Sequence, residues 1–460
     1  MADRLHTINP ATGEPINSYD LMSDTEVNRT IEAAHAAFGT WGATPAADRA
    51  NAIRSVGAVL RERKDALARL MSQEMGKLLS QSEQEIDLCA AICDWTAETG
   101  PNALADEERD LMNGGKGVIG YAPIGVIYGI QPWNFPAYQV FRYAIANLMS
   151  GNTVLLKHAE SVTGSALFLQ EVFDASDLPK DAFKVLRITH EQSDNVIAHD
   201  LVRGVTLTGS ERAGKHVGAE AGKHLKKSVL ELGSNDAYLV LEDADIETAV
   251  KQSVMGRVYN NGETCVAAKR FIVVDAVYDQ FKEAFVAAMN DLKAGDPMEG
   301  EADIGPMARE DLRDTLHHQV RASVDKGATI LCGGEIPDGQ GFYYPATVLG
   351  DVAPGMPAYD DELFGPVASL IRATDAKDAM RIANDSRFGL GGGIFSRDED
   401  AAVKLAMEHF DTGMVFVNGF GLAQPDMPFG GVKHSGHGRE HGGFGMKEFV
   451  NVKAVNILAA

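Results

Sequence analysis

From Val118 onward the chain alternates between short runs rich in β-branched residues and stretches with helical spacing, and this alternation limits its fold more than any other feature. The runs are Ile124–Ile130, Thr153–Lys157, Lys184–Ile188, Val205–Thr208 and Ala237–Leu241, and helical patterns such as Ser165–Phe173 and Ala213–Leu225 separate most of them. Strands that alternate with helices at this spacing predict βαβ units and a parallel sheet. A second series, with strands near Phe271–Val274, Ala328–Leu331 and Met414–Asn418, predicts a second α/β domain in tandem. The first hundred residues read instead as helix. Ser23-Asp-Thr-Glu26 resembles a capping box, Val27, Ile31, Ala34 and Phe38 follow at helical spacing, and Gly39 is expected to close that helix. Further helix is expected from about Ala47 to Lys64 and, after a break, to about Thr96.

Size and charge exclude several classes of function. A chain of 460 residues buries roughly three quarters of its unfolded surface, so it needs neither disulfide nor metal as a staple. Acidic residues outnumber basic ones 65 to 42, a net charge of −23. Binding to a phosphate backbone rests on clustered Lys and Arg, so no nucleic-acid partner is expected. Cys89, Cys93, Cys265 and Cys332 contain no CxxC pair, and Cys89 and Cys93, one helical turn apart, are expected on a buried face. Met1–His6 has no apolar leader segment and no uncharged apolar run reaches about 18 residues, so no membrane is expected and the chain reads as cytoplasmic. His434, His437 and His441 lie in a glycine-rich segment without the spacing of one helical face, so no metal site is expected.

Two glycine motifs are decoys. Gly115-Lys-Gly117-Val-Ile-Gly120 matches GxGxxG, but an Asn-Gly turn precedes it and another strand follows, where a dinucleotide fingerprint needs a strand before and a helix after. A hairpin is the expectation. Gly209-Ser-Glu-Arg-Ala-Gly214-Lys215-His216 follows a strand and nearly spells a Walker A loop, yet His216 stands where Ser or Thr would hold Mg²⁺. What survives is a strand running through Gly209-Ser210 into a helix, whose free N–H groups suit a pyrophosphate.

Three residues carry candidate chemistry. Cys265 lies in Tyr259-Asn-Asn-Gly-Glu-Thr-Cys265, and taken alone it is as compatible with a small buried group as with a nucleophile. Glu231 sits in the apolar run Val229-Leu-Glu231-Leu, where a carboxyl either caps something or is held in a dry site with a raised pKa, as a general base needs. Asn134 is held in Trp133-Asn134-Phe-Pro136, so it is either a turn residue or a directed amide.

Together these pieces resemble the aldehyde dehydrogenase superfamily from end to end. The likeness begins at Ile8-Asn-Pro-Ala-Thr-Gly13 and continues through Trp133-Asn-Phe-Pro136, Lys157 with Glu160, Thr208-Gly-Ser210, Glu231-Leu-Gly233, Gly262-x-x-Cys265, Glu362-Leu-Phe-Gly-Pro366 and Pro428-Phe-Gly-Gly-x-Lys433. The resemblance implies that the Cys265 thiolate attacks an aldehyde carbon, with Asn134 and the Cys265 N–H stabilising the oxyanion. Hydride would pass to a nicotinamide, and Glu231 would activate the water that hydrolyses the thioester. For the cofactor it implies Lys157 and Glu160 at the adenosine ribose, Trp133, Gly209 and Ser210 at the pyrophosphate, Glu362 at the nicotinamide ribose and Phe364 near its ring. A carboxylate at Glu160 accepts from a ribose 2′-OH and repels a 2′-phosphate, which favours NAD, with NADP possible.

Within the superfamily the likeness is greatest to bacterial succinate-semialdehyde dehydrogenases. That implies Arg142 as the partner of the substrate's distal carboxylate, with a structural salt bridge as the rival reading. A second arginine of that group falls at position 259, here Tyr259, and Ser234 replaces the usual second glycine after Glu231. The expected fold is α/β and aldehyde dehydrogenase-like. A Rossmann-type NAD-binding domain spans 1–105 and 123–233, a catalytic α/β domain spans 234–433, and a β oligomerisation arm is built from 106–122 and 434–460. Extended edges of this kind need a partner strand, so a homodimer or homotetramer is expected. Two rival readings stay open: a dehydrogenase of another aliphatic or aromatic aldehyde, and a catalytically silent structural protein on the same fold.

Overall fold

Two largely parallel sheets carry the fold, in a computed structural model that describes residues 4–112 and 114–459. In the first, the strands run in the order Gly436–His437, Lys227–Glu231, Val202–Thr208, Val126–Gln131, Thr153–His158 and Phe183–Val185, antiparallel only at the first pair. In the second, the order is Thr329–Cys332, Thr347–Gly350, Val367–Ala373, Arg270–Val274, Ala237–Val240, Gly392–Phe395 and Phe416–Val417, again antiparallel only at the first pair. Every residue of Thr153–His158, Arg270–Val274 and Ala237–Val240 is buried, because helices cover both faces of the sheets. Val126–Gln131 comes first in its series and has later strands on both sides, so a crevice opens beyond its C-terminal end. The C-terminal ends of the first sheet thus deliver Trp133-Asn134, Gly209-Ser210 and Glu231 to one place, while Cys265 lies just ahead of Arg270–Val274 in the second.

Local chemistry accounts for most of the helix boundaries. Ser23 accepts from the Glu26 N–H while Glu26 accepts from that of Ser23, so both halves of the capping box form. The helix does not stop at Gly39. It runs Asp24–Trp41, because the Trp41 ring is buried and its Nε1 donates to the Leu148 carbonyl at 3.0 Å, and Gly42 forms the cap. Three more helices follow, Ala46–Glu62, Lys64–Met75 and Leu79–Ala103, with left-handed Gly76 making the break. Cys89 and Cys93 are both buried on the last of them. The pair Arg4–Ile8 and Pro15–Asp20 carries no alternation strong enough to have been read as strands. Among the described residues, no helix is long and apolar enough to cross a membrane.

The arm is a three-stranded antiparallel sheet of Glu107–Asp110, Lys116–Pro123 and Val450–Ile457, and the GxGxxG string lies inside it as extended chain. Its expected C-terminal part began too early in the sequence. Gly436 and His437 pair with Glu231 and Leu230 in the first sheet, where left-handed Gly436 leaves no room for a side chain against the Leu230 carbonyl. His434, His437 and His441 are not gathered; they face Glu211, Ser228 and Tyr138 respectively.

Candidate active site

Three consecutive left-handed residues, Asn260, Asn261 and Gly262, turn the chain immediately before Cys265. The side chains pin that turn. The Asn260 amide donates to the carbonyls of Asn134 (2.9 Å) and Glu263 (3.1 Å), and the Asn261 amide to those of Gly76 (3.0 Å) and Pro306 (2.8 Å). Gly262 packs so closely on Gly365 that only glycine fits. The same Glu263 carbonyl accepts from the Asn134 amide at 3.0 Å, which ties the candidate oxyanion donor to the cysteine loop and leaves its second N–H free to face a ligand. Gln139 donates to the Asn134 oxygen at 3.3 Å and fixes which way the amide points.

Two cavities meet at Cys265. One, of about 240 Å³, is bordered by Trp133, Asn134, Gly209, Ser210, Glu362 and Phe364. The other, of about 300 Å³, lies between Phe135, Tyr138, Tyr259, Phe420 and Phe429. Asn134 lines the first, and Gln139 and Cys265 belong to both. One nucleophile is therefore reachable from two directions.

The electrostatics suit a guarded nucleophile. Burial pushes the Cys265 thiol up to about 11, against the opposing pull of Arg142 and Lys269. Lys269, itself 1% exposed, donates to the carbonyls of Thr264 (3.2 Å) and Cys265 (2.6 Å) and lies 3.2 Å from the Glu362 carboxylate. Glu231, at the end of its strand, is 1% exposed and neither carboxyl oxygen has a hydrogen-bond partner among the described residues. Burial, reinforced by Glu440 and opposed by Arg142, holds it well above the usual carboxylate range. A buried orphan carboxyl is costly, and such groups persist mainly where chemistry uses them. Glu231 borders neither cavity, so its carboxyl has to swing toward the sulfur to act.

Arg142 does not meet the expectation of a carboxylate grip. Its side chain is 1% exposed, forms an ion pair with the buried Glu440, and donates to the Thr208 hydroxyl at 2.7 Å. Its guanidinium lies behind the pocket wall, 5.3 Å from the Tyr138 ring and 4.6 Å from that of Phe429. Burial disfavours the cation, but Glu440, with Tyr138, Glu231 and Cys265, outweighs it and raises Arg142 above its ordinary range. Tyr259 does border the substrate-side cavity, with its hydroxyl 3.3 Å from the Gln84 side-chain oxygen.

The residues expected at a dinucleotide line two cavities, Trp133, Gly209, Ser210, Glu362 and Phe364 the one at Cys265 and Lys157 and Glu160 another. Ser210 caps the helix Glu211–Lys223, whose first N–H groups are left for an anion. Trp133 and Phe364 pack edge to face, with centroids 5.8 Å apart. Glu362 accepts from the Ser234 N–H at 3.0 Å, so the substituted Ser234 still serves the carboxylate through its backbone. Further out, Lys157 and Glu160 border a third cavity with Arg309. Lys157 has no hydrogen-bond or ion-pair partner among the described residues, and burial lowers its pKa, opposed by Glu160. An unpaired ammonium, a helix N-terminus and an edge-to-face aromatic pair are groups of the kinds that a ribose, a pyrophosphate and a nicotinamide ring need.

The chain matches the aldehyde dehydrogenase family over residues 1–455. The chain belongs to this family. It is 44% identical over 449 residues to a succinate-semialdehyde dehydrogenase [NADP(+)] of Deinococcus radiodurans, covering 98% of this chain and 94% of that one. It is also 44% identical to a succinate semialdehyde dehydrogenase [NAD(P)+] of Escherichia coli, covering 98% and 97%. The solved succinic semialdehyde dehydrogenase of Streptococcus pyogenes, in complex with NADP+, superposes with a TM-score of 0.97 at 36% identity, covering 99% of this chain and 100% of that one.

Within this aldehyde dehydrogenase fold, several residues of the site had escaped sequence reasoning. Nothing local in the sequence marks Lys269 and Glu440 as partners of Glu362 and Arg142. Gln139 and Phe420 are reached only through tertiary contact. Asn260-Asn261-Gly262 was readable, since consecutive residues tolerant of left-handed backbone ahead of a cysteine announce a special turn.

Proposed function

We propose that this protein oxidises succinate semialdehyde to succinate, with a nicotinamide dinucleotide as hydride acceptor. The observation that carries the reading is a single cysteine, Cys265, shared by a cavity lined with Trp133, Ser210, Glu362 and Phe364 and a second, mostly apolar one. Full-length identity to the Deinococcus and Escherichia enzymes supports the substrate. The Cys265 thiolate bonds to the aldehyde carbon, and the free N–H of Asn134 and the Cys265 backbone N–H face the developing oxyanion. A bound NAD(P) supplies the hydride acceptor; Lys157, Ser210, Trp133, Glu362 and Phe364 hold it. Glu231, once it has given up its proton and swung toward the sulfur, draws a proton from the water that attacks the thioester carbonyl. The acid leaves and the thiol is restored. NAD is favoured by the charge of Glu160, while the relatives named for NADP(+) support NADP as a second cofactor.

The arm supports a homodimer or homotetramer: Val452, Val455 and Ile457 are exposed apolar groups on its last strand. The protein works in the cytoplasm. The test is a purified preparation given succinate semialdehyde with NAD and NADP in parallel, beside Cys265→Ala. Cofactor reduction by the parent and none by the variant is expected. No reduction by the parent with either cofactor would favour the silent structural reading, and full activity in the variant would remove Cys265 as the nucleophile.

A further inference from the structure

Between the strand Val126–Gln131 and the helix Tyr138–Met149, the stretch that carries Asn134 has no ladder of its own to hold it. Part of what fastens it comes from a separate helix. Glu85, on Leu79–Ala103 and 2% exposed, uses one carboxylate oxygen to accept from the N–H groups of Ala137 (2.7 Å) and Tyr138 (2.8 Å), donors that the helix start leaves free. Its other oxygen pairs with the ammonium of Lys77, which is fully buried and lies 4.2 Å from the centroid of the Phe135 ring. The pair thus holds the chain at Phe135 and again at Ala137 and Tyr138, just beyond Asn134. The same helix start projects Gln139, whose amide donates to the Asn134 oxygen. Glu85 borders the substrate-side cavity, but both of its oxygens are taken.

We infer that the buried Lys77–Glu85 pair is a positioning device for the oxyanion site, setting where the free N–H of Asn134 stands relative to Cys265. The inference rests on the aldehyde-oxidising reading above, in which that N–H faces the developing oxyanion. Stability does not account for the pair, because a buried ion pair is often no more stabilising than apolar groups of the same bulk. What the charge adds is grip: a carboxylate oxygen that takes two N–H donors holds them more tightly than a neutral acceptor does. A displacement of about 1 Å at a reacting site costs on the order of a hundredfold in rate, so the grip has a catalytic use. Lys77 completes the device by balancing the carboxylate, so that Glu85 does not oppose the negative charge that develops at Cys265.

The test is single-turnover cofactor reduction, with enzyme in excess of succinate semialdehyde and the dinucleotide saturating. Beside it runs alkylation of Cys265 by iodoacetamide, a displacement that forms no oxyanion. Lys77→Met/Glu85→Leu removes acceptor and charge together and is expected to slow reduction about 10- to 100-fold, with alkylation and the KM for the dinucleotide within about twofold of the parent. Lys77→Met/Glu85→Gln, which keeps an acceptor oxygen, should bring reduction back to within about fivefold. In an Asn134→Ala background, itself slow, the Leu pair should cost nothing further. Glu85→Asp keeps the charge and shortens the reach; it repeats the comparison if the Leu pair does not fold, with a slowing of about fivefold expected only where Asn134 is present. An equal slowing in the Asn134→Ala background, or alkylation slowed in step with reduction, makes the pair merely structural and overturns the inference. Unchanged reduction in the Leu pair overturns it as well. All three results leave aldehyde oxidation standing, whereas a parent that reduces no cofactor overturns both readings.

Discussion

Removing the Arg142 guanidinium separates a structural cation from a substrate-binding one. In Arg142→Leu, the buried Glu440 is left without its ion-pair partner, and Glu231, already without a partner, loses the stronger of the positive charges acting on it. Breaking a buried ion pair from one side costs about 3–5 kcal/mol. The lost Thr208 bond and the guanidinium face over Phe429 place the expected loss toward the upper end of that range. The double variant Arg142→Leu/Glu440→Leu carries no stranded charge and is expected to recover about 2 kcal/mol of that loss, since an apolar pair of similar bulk is often neutral. Urea denaturation of the parent, both singles and the double closes the cycle, with the coupling read from the midpoints. Arg142 is also the larger of the two cations that lower the Cys265 thiol, so alkylation of that thiol should need higher pH in the single variant. Strict additivity of the two singles refutes the ion-pair account. So does an Arg142→Leu enzyme of unchanged stability whose KM rises tenfold for succinate semialdehyde but not for hexanal, because that arginine reaches the substrate.

Further outcomes are expected. In the absence of cofactor, iodoacetamide should alkylate Cys265 about tenfold faster per pH unit between pH 7 and 9, as a thiol near 11 requires, and a plateau below pH 8 would contradict the burial argument. The folded protein keeps that proton where the unfolded chain, near 9.0, sheds it, so this group's contribution to stability falls as pH climbs from about 9 to about 11, and Cys265→Ser should flatten that slope. Glu231→Gln should release one equivalent of reduced cofactor per site and then turn over about 10²–10⁴-fold more slowly, with the acyl group trapped on Cys265 and visible by intact mass. Two changes probe the dinucleotide side: Lys269→Met should raise the KM for the cofactor by freeing Glu362, and Glu160→Gln should improve kcat/KM for NADP relative to NAD by tenfold or more.

What the sequence made legible follows the range of the interaction. The central strands were plain because each holds a compact run of apolar, often β-branched residues, and the capping box at Ser23 was plain because its two hydrogen bonds lie within four residues. Gly39 misled because the burial of Trp41 against Leu148, more than a hundred residues away, decides where that helix ends. Cys265, Asn134 and Glu231 were found through motifs, and the structure gathers Cys265 and Asn134 at one cavity while turning Glu231 into the protein beneath them. Arg142 could not be assigned from its spacing to Asn134. Its partner Glu440 is almost three hundred residues distant, and only the folded chain reveals that the charge is already spoken for.

The short strand Gly436–His437 gives the last stretch of the chain two tasks. It zips onto Glu231 and Leu230, then leads through Glu440, the partner of Arg142, and the short helix Gly445–Glu448 into the arm strand Val450–Ile457. Ser150 and Asn152 donate to the Met446 and Phe449 carbonyls between those two ends, so this stretch is riveted to the body midway and the arm leaves the fold from a fixed point.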